Sequence, residues 1–353
     1  MFNEKYRELL EGSEYDFLRE HSRLGKNLMM LVVSGSKAHG TDIPTSDTDI
    51  RGVMSNSVNE IVKVERDFGT FIEKDTDTCI HTFDKTCDLM LSCNPSVMEM
   101  FGCRDEEIIY YDKHGKMLMD NYDKFLSIRA VSSFGGFANA QFNRMKHSLI
   151  ANGQNPDTEL EMLKHSLDNA MTAFNATHQG TAIDVQIRMV SDQELKRIHP
   201  EIKTASEYDK HHILVNGHFN EVDVTDFKTV ISELHKIQSE YGKLNKENTK
   251  KTDIKLAKHM MDLVYIYLVG ADLNSGKGMI TYREKEHDML MDIRNMKYLT
   301  SDGLKVKSDF YDLLNYVEKE YMYTTKNCVL PEEPDYEAIS DMKRQVYLDI
   351  LAR

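Results

Sequence analysis

An apolar run, Leu28 to Val33, stops at a Gly35-Ser36 pair, and two carboxylates follow at i and i+2, Asp47 and Asp49. The residues between include Gly40, Pro44, Thr45 and Ser46, all turn formers. Ile50, Gly52 and Val53 then continue as a second short apolar element. This order predicts a strand, a tight turn and a second strand, with the acids at the turn end of the second strand. In a strand, positions i and i+2 share a face, so Asp47 and Asp49 are expected side by side. Carboxylates so placed repel unless a cation lies between them. Mg²⁺ is the usual partner, completing its shell with substrate phosphates. The Gly-Ser turn offers backbone N–H groups and a hydroxyl to such phosphates. A lone DxD or a lone GS is most often structural; together, behind an apolar strand, they point to nucleotidyl transfer.

Downstream, Asn94-Pro95 suits a helix start, with Asn as N-cap and Pro at the first helical position. Strands are expected at 28–34, 48–54, 60–64 and 77–83, and a helix at 85–91. Beyond about residue 105 the apolar spacing becomes helical, over 116–126, 129–150, 158–175, 223–240, 252–270, 284–294, 306–321 and 335–352. The stretch 176–222 is mixed, with strand-like pieces at 183–189 and 212–215. The expected fold is α+β, a small mixed-sheet module followed by a larger, mostly helical part. The division is placed at 1–125 for catalysis and 126–353 for an accessory, acceptor-binding domain.

Composition narrows the class. No apolar run approaches the ~20 residues that span a bilayer, and the polar N-terminus does not read as a signal peptide. Five cysteines without a CxxC pair argue against a disulfide framework or a structural zinc site and fit a reducing cytoplasm. A net charge of −14 makes the chain a poor general binder of nucleic acid. It still permits a local basic strip, for which Lys243, Lys246, Lys250, Lys251, Lys255 and Lys258 are the candidates. A solvated lysine face is the competing reading. His211-His212 has no carboxylate or cysteine at metal-ligand spacing and reads as a surface pair.

A two-cation phosphoryl-transfer centre clamps both the attacking and the leaving oxygen. A third carboxylate from a neighbouring strand would complete it, and Glu73, Asp75, Asp77 and Asp84 are available. Periodicity does not separate Asp75 from Asp77, which share parity.

The string GSKAHGTDIPTSDTDIRGV resembles the nucleotidyltransferases associated with RNA-repair ligases, the RlaP-like branch of the polymerase-β superfamily. That family shows a GS-x-A-aromatic-G turn, then SD-x-D-x-RGV, then an aspartate ahead of a helix and an NP-x-x-x-E element. Asp77, Lys85, Asn94-Pro95 and Glu99 match those pieces here. FGGFANAQFNRMK, 134–146, is similar to a further element of the family, as are 258–295 and the LPEEPD tail near 330. Where the family often carries His and Arg in its central helix, this chain has Asp262 and Tyr265, and Met296 replaces a usual Gly.

The resemblance implies a polymerase-β-type module and selects Asp77 as the third acid. Asp47, Asp49 and Asp77 would then be metal ligands for two Mg²⁺ or Mn²⁺ ions, with Asp77 also receiving the proton of the attacking hydroxyl. Gly35, Ser36, Gly40 and Ser46 would form the nucleotide turn, and Ser46 reads equally as a turn hydroxyl. Lys85 is either a triphosphate contact or an exposed helix lysine, and Arg51 most simply a structural ion pair. His39 could hold the base or ribose, although the family accepts several aromatics there. The implied activity moves an NMP from an NTP to a hydroxyl acceptor, foremost an RNA (tRNA) end. NMP transfer to a protein or small molecule, and a non-catalytic nucleotide-binding protein, are the other classes left open.

Overall fold

A computed structural model describes residues 10–153, 183–201, 211–219, 253–300 and 305–352, with a few single positions besides. The chain divides into two compact units, residues 1–146 with 253–353, and residues 147–252.

The first unit is organised by a five-stranded mixed sheet of order β3-β4-β2-β1-β5. Its strands are β1 (Leu28–Ser34), β2 (Asp49–Met54), β3 (Thr70–Glu73), β4 (Thr78–Thr82) and β5 (Ile108–Tyr111). β1 pairs antiparallel with β2 and β5, and β3 antiparallel with β4, whereas β2 and β4 run parallel. β1 is buried along its whole length, as its unbroken apolar run requires of a strand covered on both faces. On one face Leu31, Val33, Ile50, Met54, Ile80 and Ile109 form a core with Tyr6, Leu10, Tyr15, Leu18 and Leu24 of the N-terminal segment. Met30, Val32 and Val53 alternate with these and are equally buried on the other face. The helix Phe83–Leu91, capped by the Thr82 hydroxyl accepting from Lys85 N–H at 3.3 Å, packs back on β2 and β4. Asn94 caps the next helix through its side chain, with Pro95 in the first turn as its sequence predicts.

Three local expectations are corrected. The apolar residues at 60–64 do not form a strand; a helix, Val58–Ile61, occupies the site. Its capping box, in which the Ser57 hydroxyl and the Glu60 carboxylate satisfy each other's backbone N–H groups, outweighs the β propensity of Ile61 and Val62. The strand falls instead at Thr70–Glu73, a half-exposed edge. β5 interrupts the stretch read as helical after residue 105, because Ile108 and Ile109 close the far edge of β1.

The helices that follow include Lys113–Asp120, Arg129–Gly153, Asp253–Asn274, His287–Arg294, Ser308–Lys326 and Tyr336–Leu351. Asp253–Asn274 is apolar nearly all round, burying Leu256, Met260, Leu263, Val264, Ile266, Val269 and Leu273, and is therefore the central helix of this part. Gly270 lets the Tyr321 ring approach so closely that a Cβ would lie 2.7 Å from it, and the Tyr321 hydroxyl donates to Val131 O at 2.7 Å. The C-terminal helix Tyr336–Leu351 is tied to the helix after β4. Tyr347 donates its hydroxyl to the buried Asp84, and Lys343 Nζ lies 2.9 Å from the same carboxylate.

In the second unit, β6 (Ile183–Ser191) and β7 (His211–Phe219) pair antiparallel from Ile183↔Phe219 to Ser191↔His211. Ser191 caps the helix Asp192–Ile198 that follows. The helices expected at 158–175 and across most of 223–240 lie outside the described residues. The fold is thus α+β, a mixed sheet with helices at the N-terminal side and a mostly helical C-terminal part. No helix among the described residues is long and apolar enough to cross a membrane.

Candidate active site

β1 delivers the chain to Gly35, which begins a single short helix, Gly35–His39, ended by Gly40 in the left-handed conformation. Gly35 itself has φ +63°, and a Cβ there would lie 2.0 Å from Asp49 Oδ2. Glycine is required on both counts: the backbone conformation is costly for other residues, and the space belongs to a carboxylate.

β2 and β4 then set two acids together. Their parallel register pairs Ile50 with Thr78 and Arg51 with Cys79, so Asp49 and Asp77 stand beside each other at the same end of the two strands. A hydrogen bond between two such neighbouring carboxyls needs a proton on one of them. Burial, and then the bond to and the charge of Asp77, push the Asp49 carboxyl up to about 6, against the pull of Arg51 and Lys258. Asp77 has φ +43°, unusual for a side-chain-bearing residue. Arg51 holds it there: Nη1 donates to Asp77 O at 2.8 Å and lies 3.7 Å from the carboxylate. The ion pair expected for Arg51 is therefore present, with Asp77 as its partner.

Asp47 is placed differently from the same-face expectation. β2 begins only at Asp49, and Asp47 is exposed in the loop before it. The loop is held by its own turn, in which Ser46 Oγ accepts from Ile43 N–H at 2.9 Å and Ser46 N–H donates to Ile43 O at 2.8 Å. Lys37 reaches across from the turn helix and donates to Thr48 Oγ at 2.6 Å, between the two acids. Among the described residues no group of three or more His, Cys, Asp or Glu side chains is assembled as a metal site. Asp49 and Asp77 are together, and Asp47 is one loop residue away from them. Ser46 is engaged in the turn, while Ser36 is buried and its carbonyl accepts from Thr41 N–H at 2.8 Å.

Behind the turn lies a polar cluster that sequence spacing does not reveal. The buried His39 ring stacks on Tyr265 at 4.0 Å between centroids, and its Nε2 is 3.6 Å from Glu99 Oε2. Tyr265 donates its hydroxyl to Thr281 O at 3.1 Å. Burial pushes Asp262, one turn earlier on the central helix, above the ordinary carboxylate range, opposed by the charges of His39, Lys258 and Arg294. Thus Asp262 and Tyr265, two departures from the resembling family, adjoin the turn. A second contact comes from 282–287. A Cβ on Gly40 would lie 2.2 Å from the Tyr282 ring, Arg104 covers that ring at 3.7 Å, and His287 Nε2 is 2.9 Å from Gly40 O. These partners lie far apart in the chain, and no local signal joins them.

Lys85 is in the first turn of the helix after β4, and its charge bears on His81. His81 is four residues along β4 from Asp77, ~13 Å at the rise of a strand. Of the candidate basic strip, Lys243, Lys246, Lys250 and Lys251 lie outside the described residues. Lys255 and Lys258 are exposed on the first turns of the central helix.

A glycine turn after the first strand, followed by acids carried on the adjacent ends of two parallel strands in a mixed sheet, is the arrangement of a nucleotidyltransferase module of the polymerase-β type. Residues 12–199, more than half of the chain, match the model of the RlaP family, described as RNA repair pathway DNA polymerase beta family. The chain belongs to that family. Neither the search of curated proteins nor that of solved structures gave a match. Membership supports nucleotidyltransferase activity in general, in the setting of RNA repair.

Proposed function

We propose that the protein transfers a nucleoside monophosphate from an NTP to a hydroxyl acceptor, an RNA (tRNA) end in repair or modification. The observation that carries this reading is the Asp49–Asp77 carboxyl pair beneath the Gly35 turn. Two carboxyls set side by side favour sharing a proton or a cation, and an all-oxygen donor set suits Mg²⁺ or Mn²⁺. Asp49 and Asp77 would hold the ions, with Asp47 joining from its exposed loop. The bound ions would supply charge neutralisation at the attacking and leaving oxygens.

The remaining roles belong to the chain. The acceptor hydroxyl attacks the α-phosphorus, its new O–P bond replaces the bond to the β-phosphate oxygen, and pyrophosphate leaves. Asp77, the more exposed acid, receives the hydroxyl proton. Gly35 admits both the Asp49 carboxylate and the polyphosphate, and Ser36 offers its hydroxyl to a phosphate oxygen. Gly40 and Ser46 keep the turn in shape. Catalysis is assigned to 1–125 and acceptor recognition to 126–353, with Lys255 and Lys258 as the described part of the basic strip.

The net charge of −14 favours a second reading, transfer to a protein or small-molecule hydroxyl. The test is incubation of the protein with each α-labelled NTP, Mg²⁺ or Mn²⁺, and total RNA or total protein. Label in RNA that is lost in Asp47→Ala and Asp49→Asn supports the proposal. Label in protein supports the second reading. No transfer in any fraction, with NTP still bound, makes the chain a nucleotide-binding protein.

A further inference from the structure

Helix Ser308–Lys326 carries the same residue spacing on two opposite faces. Phe310, Leu314, Val317, Tyr321 and Thr324 are buried, and Tyr321 packs on Gly270 of the central helix. Turned the other way, Asp312, Tyr316, Lys319, Tyr323 and Lys326 recur at intervals of four, three, four and three, the stripe by which one helix meets another. All five are exposed, and Tyr316 and Tyr323 keep 67% and 66% of their surface open, with Met322 beside them at 50%. Among the described residues no side-chain hydrogen bond, ion pair or ring contact engages Asp312, Tyr316, Lys319, Glu320, Tyr323 or Lys326.

The stripe is acidic at its N-terminal end and basic at its C-terminal end, and the two tyrosines straddle its middle. A parallel partner would set Asp312 on Asp312 and lysine on lysine. An antiparallel copy, about a two-fold axis between Lys319 and Glu320, does the opposite. Tyr316 then meets the second copy's Tyr323 and Lys319 meets its Glu320, while Asp312 stands within one residue of its Lys326. Such pairs oppose unlike charges and bring rings together, so the face is complementary to itself. Charges beyond the two ends are engaged elsewhere: Lys307 Nζ donates to Lys297 O at 2.6 Å, and Glu333 lies 3.1 Å from Arg129. Four tyrosines of ~150–250 Å² each, two-thirds exposed, offer roughly 400–650 Å², and the methionine and lysine stems carry this toward the ~1,000 Å² of a specific interface. Nucleic acid fits the face less well, because Asp312 and Glu320 stand on it and the chain has a net charge of −14.

We propose that the exposed face of helix Ser308–Lys326 is the interface through which two copies of this chain pair antiparallel. The inference is independent of the nucleotidyl-transfer reading, because it uses only residues outside that site.

Sedimentation velocity of the full chain over about 1–100 μM, the range open to an interface of this modest size, should show a monomer–dimer equilibrium. Tyr316→Ser combined with Tyr323→Ser should weaken the dimer at least about 30-fold, the loss of its central aromatic anchors. Asp312→Lys alone and Lys326→Asp alone should each weaken it about tenfold, and the two together should restore the parent value to within about twofold. Lys116→Gln, at a surface lysine paired with Asp120, should leave it unchanged. Thermal melts show whether each variant keeps its fold; if the double serine variant does not, the charge reversals decide the outcome. A parent chain that stays monomeric throughout overturns the proposal. So does a dimer that the tyrosine substitutions leave intact, or a pair of charge reversals that fails to restore it. A single-stranded oligoribonucleotide held by the monomer through Tyr316 and Tyr323 would also overturn it, and would assign the face to RNA.

Discussion

The Asp49 carboxylate occupies the space that a side chain on Gly35 would need, with Oδ2 2.0 Å from an ideal Cβ. Strand β1 and strand β2 are thus joined at the site by a missing methyl group as much as by their ladder. Gly35→Ala must move one of the two residues, and its φ of +63° adds a backbone penalty of about 1–2 kcal/mol. Because an error of 1 Å at a reacting centre costs on the order of 100-fold, transfer activity should fall by at least about that factor. Stability should fall only by the backbone term. Label transfer and thermal denaturation on the same preparation check both; an active Gly35→Ala would show that Asp49 does not act from this position.

Arg51 positions Asp77 from two residue pairs along the β2–β4 ladder. Arg51→Gln removes the donor to Asp77 O and the neighbouring charge, a loss of about 1.5–3 kcal/mol for a bond from a charged group. The expected result is a kcat lower by about 10- to 100-fold with the KM for NTP little changed, because Arg51 is committed to the acid. Arg51→Lys should recover only part, since a lysine does not keep the planar guanidinium whose Nη1 meets both the carbonyl and the carboxylate of Asp77. Steady-state kinetics of the three proteins separate this from a contact to the nucleotide, which would move KM.

The C-terminal helix should be a measurable part of the stability of the sheet module. Burial would raise the Asp84 carboxyl, yet the Tyr347 hydroxyl and Lys343 ammonium hold it below the ordinary carboxylate range. Tyr347→Phe removes one donor from a buried acceptor and should cost about 1–3 kcal/mol. Urea unfolding followed by circular dichroism reads this directly, and is preferable to emission because the chain contains no tryptophan.

Acid should loosen the same helix at a second point. Hydrogen bonds from Lys113 and His114 hold the Asp349 carboxyl down at about 2. A carboxylate whose native pKa is depressed binds fewer protons in the folded state than in the unfolded chain. Its contribution is complete above the ordinary value of ~3.9 and disappears as pH falls toward 2. The melting temperature should therefore decline over about pH 4 to 2, and Asp349→Asn should flatten that part of the profile. An identical decline in Asp349→Asn would assign the loss to other carboxylates.

The features that sequence made legible are those decided within a few residues. The apolar run ending at Gly35, the Asn94-Pro95 helix start and the apolar surround of the central helix are local, and each appears where its pattern places it. The Ser57–Glu60 capping box is equally local, and it prevails over the strand propensity of the adjacent apolar Ile61, Val62 and Val64. β3 was missed because an edge strand of sequence TFIE, half exposed, has neither alternation nor length to announce it. Asp47 shows the limit of parity arguments, which apply only after the strand has begun. What no local rule contains is the cluster behind the turn: His39 on Tyr265 and Gly40 against Tyr282 each depend on how the residues after 253 pack against the turn.

Gly40 and His287 are 247 positions apart, yet Gly40 O and His287 Nε2 are 2.9 Å apart. During synthesis, the sheet that carries Asp49 and Asp77 is complete long before the residues that close over the turn leave the ribosome. Contacts of such separation also form late in folding, since long loops must close first. A chain released early would hold Asp47, Asp49 and Asp77 and lack Tyr265, Tyr282 and His287, which pack against the glycine turn. The assembly of the turn thus reports on the finished protein, and a truncated copy would carry the motif without the constraint that gives it shape.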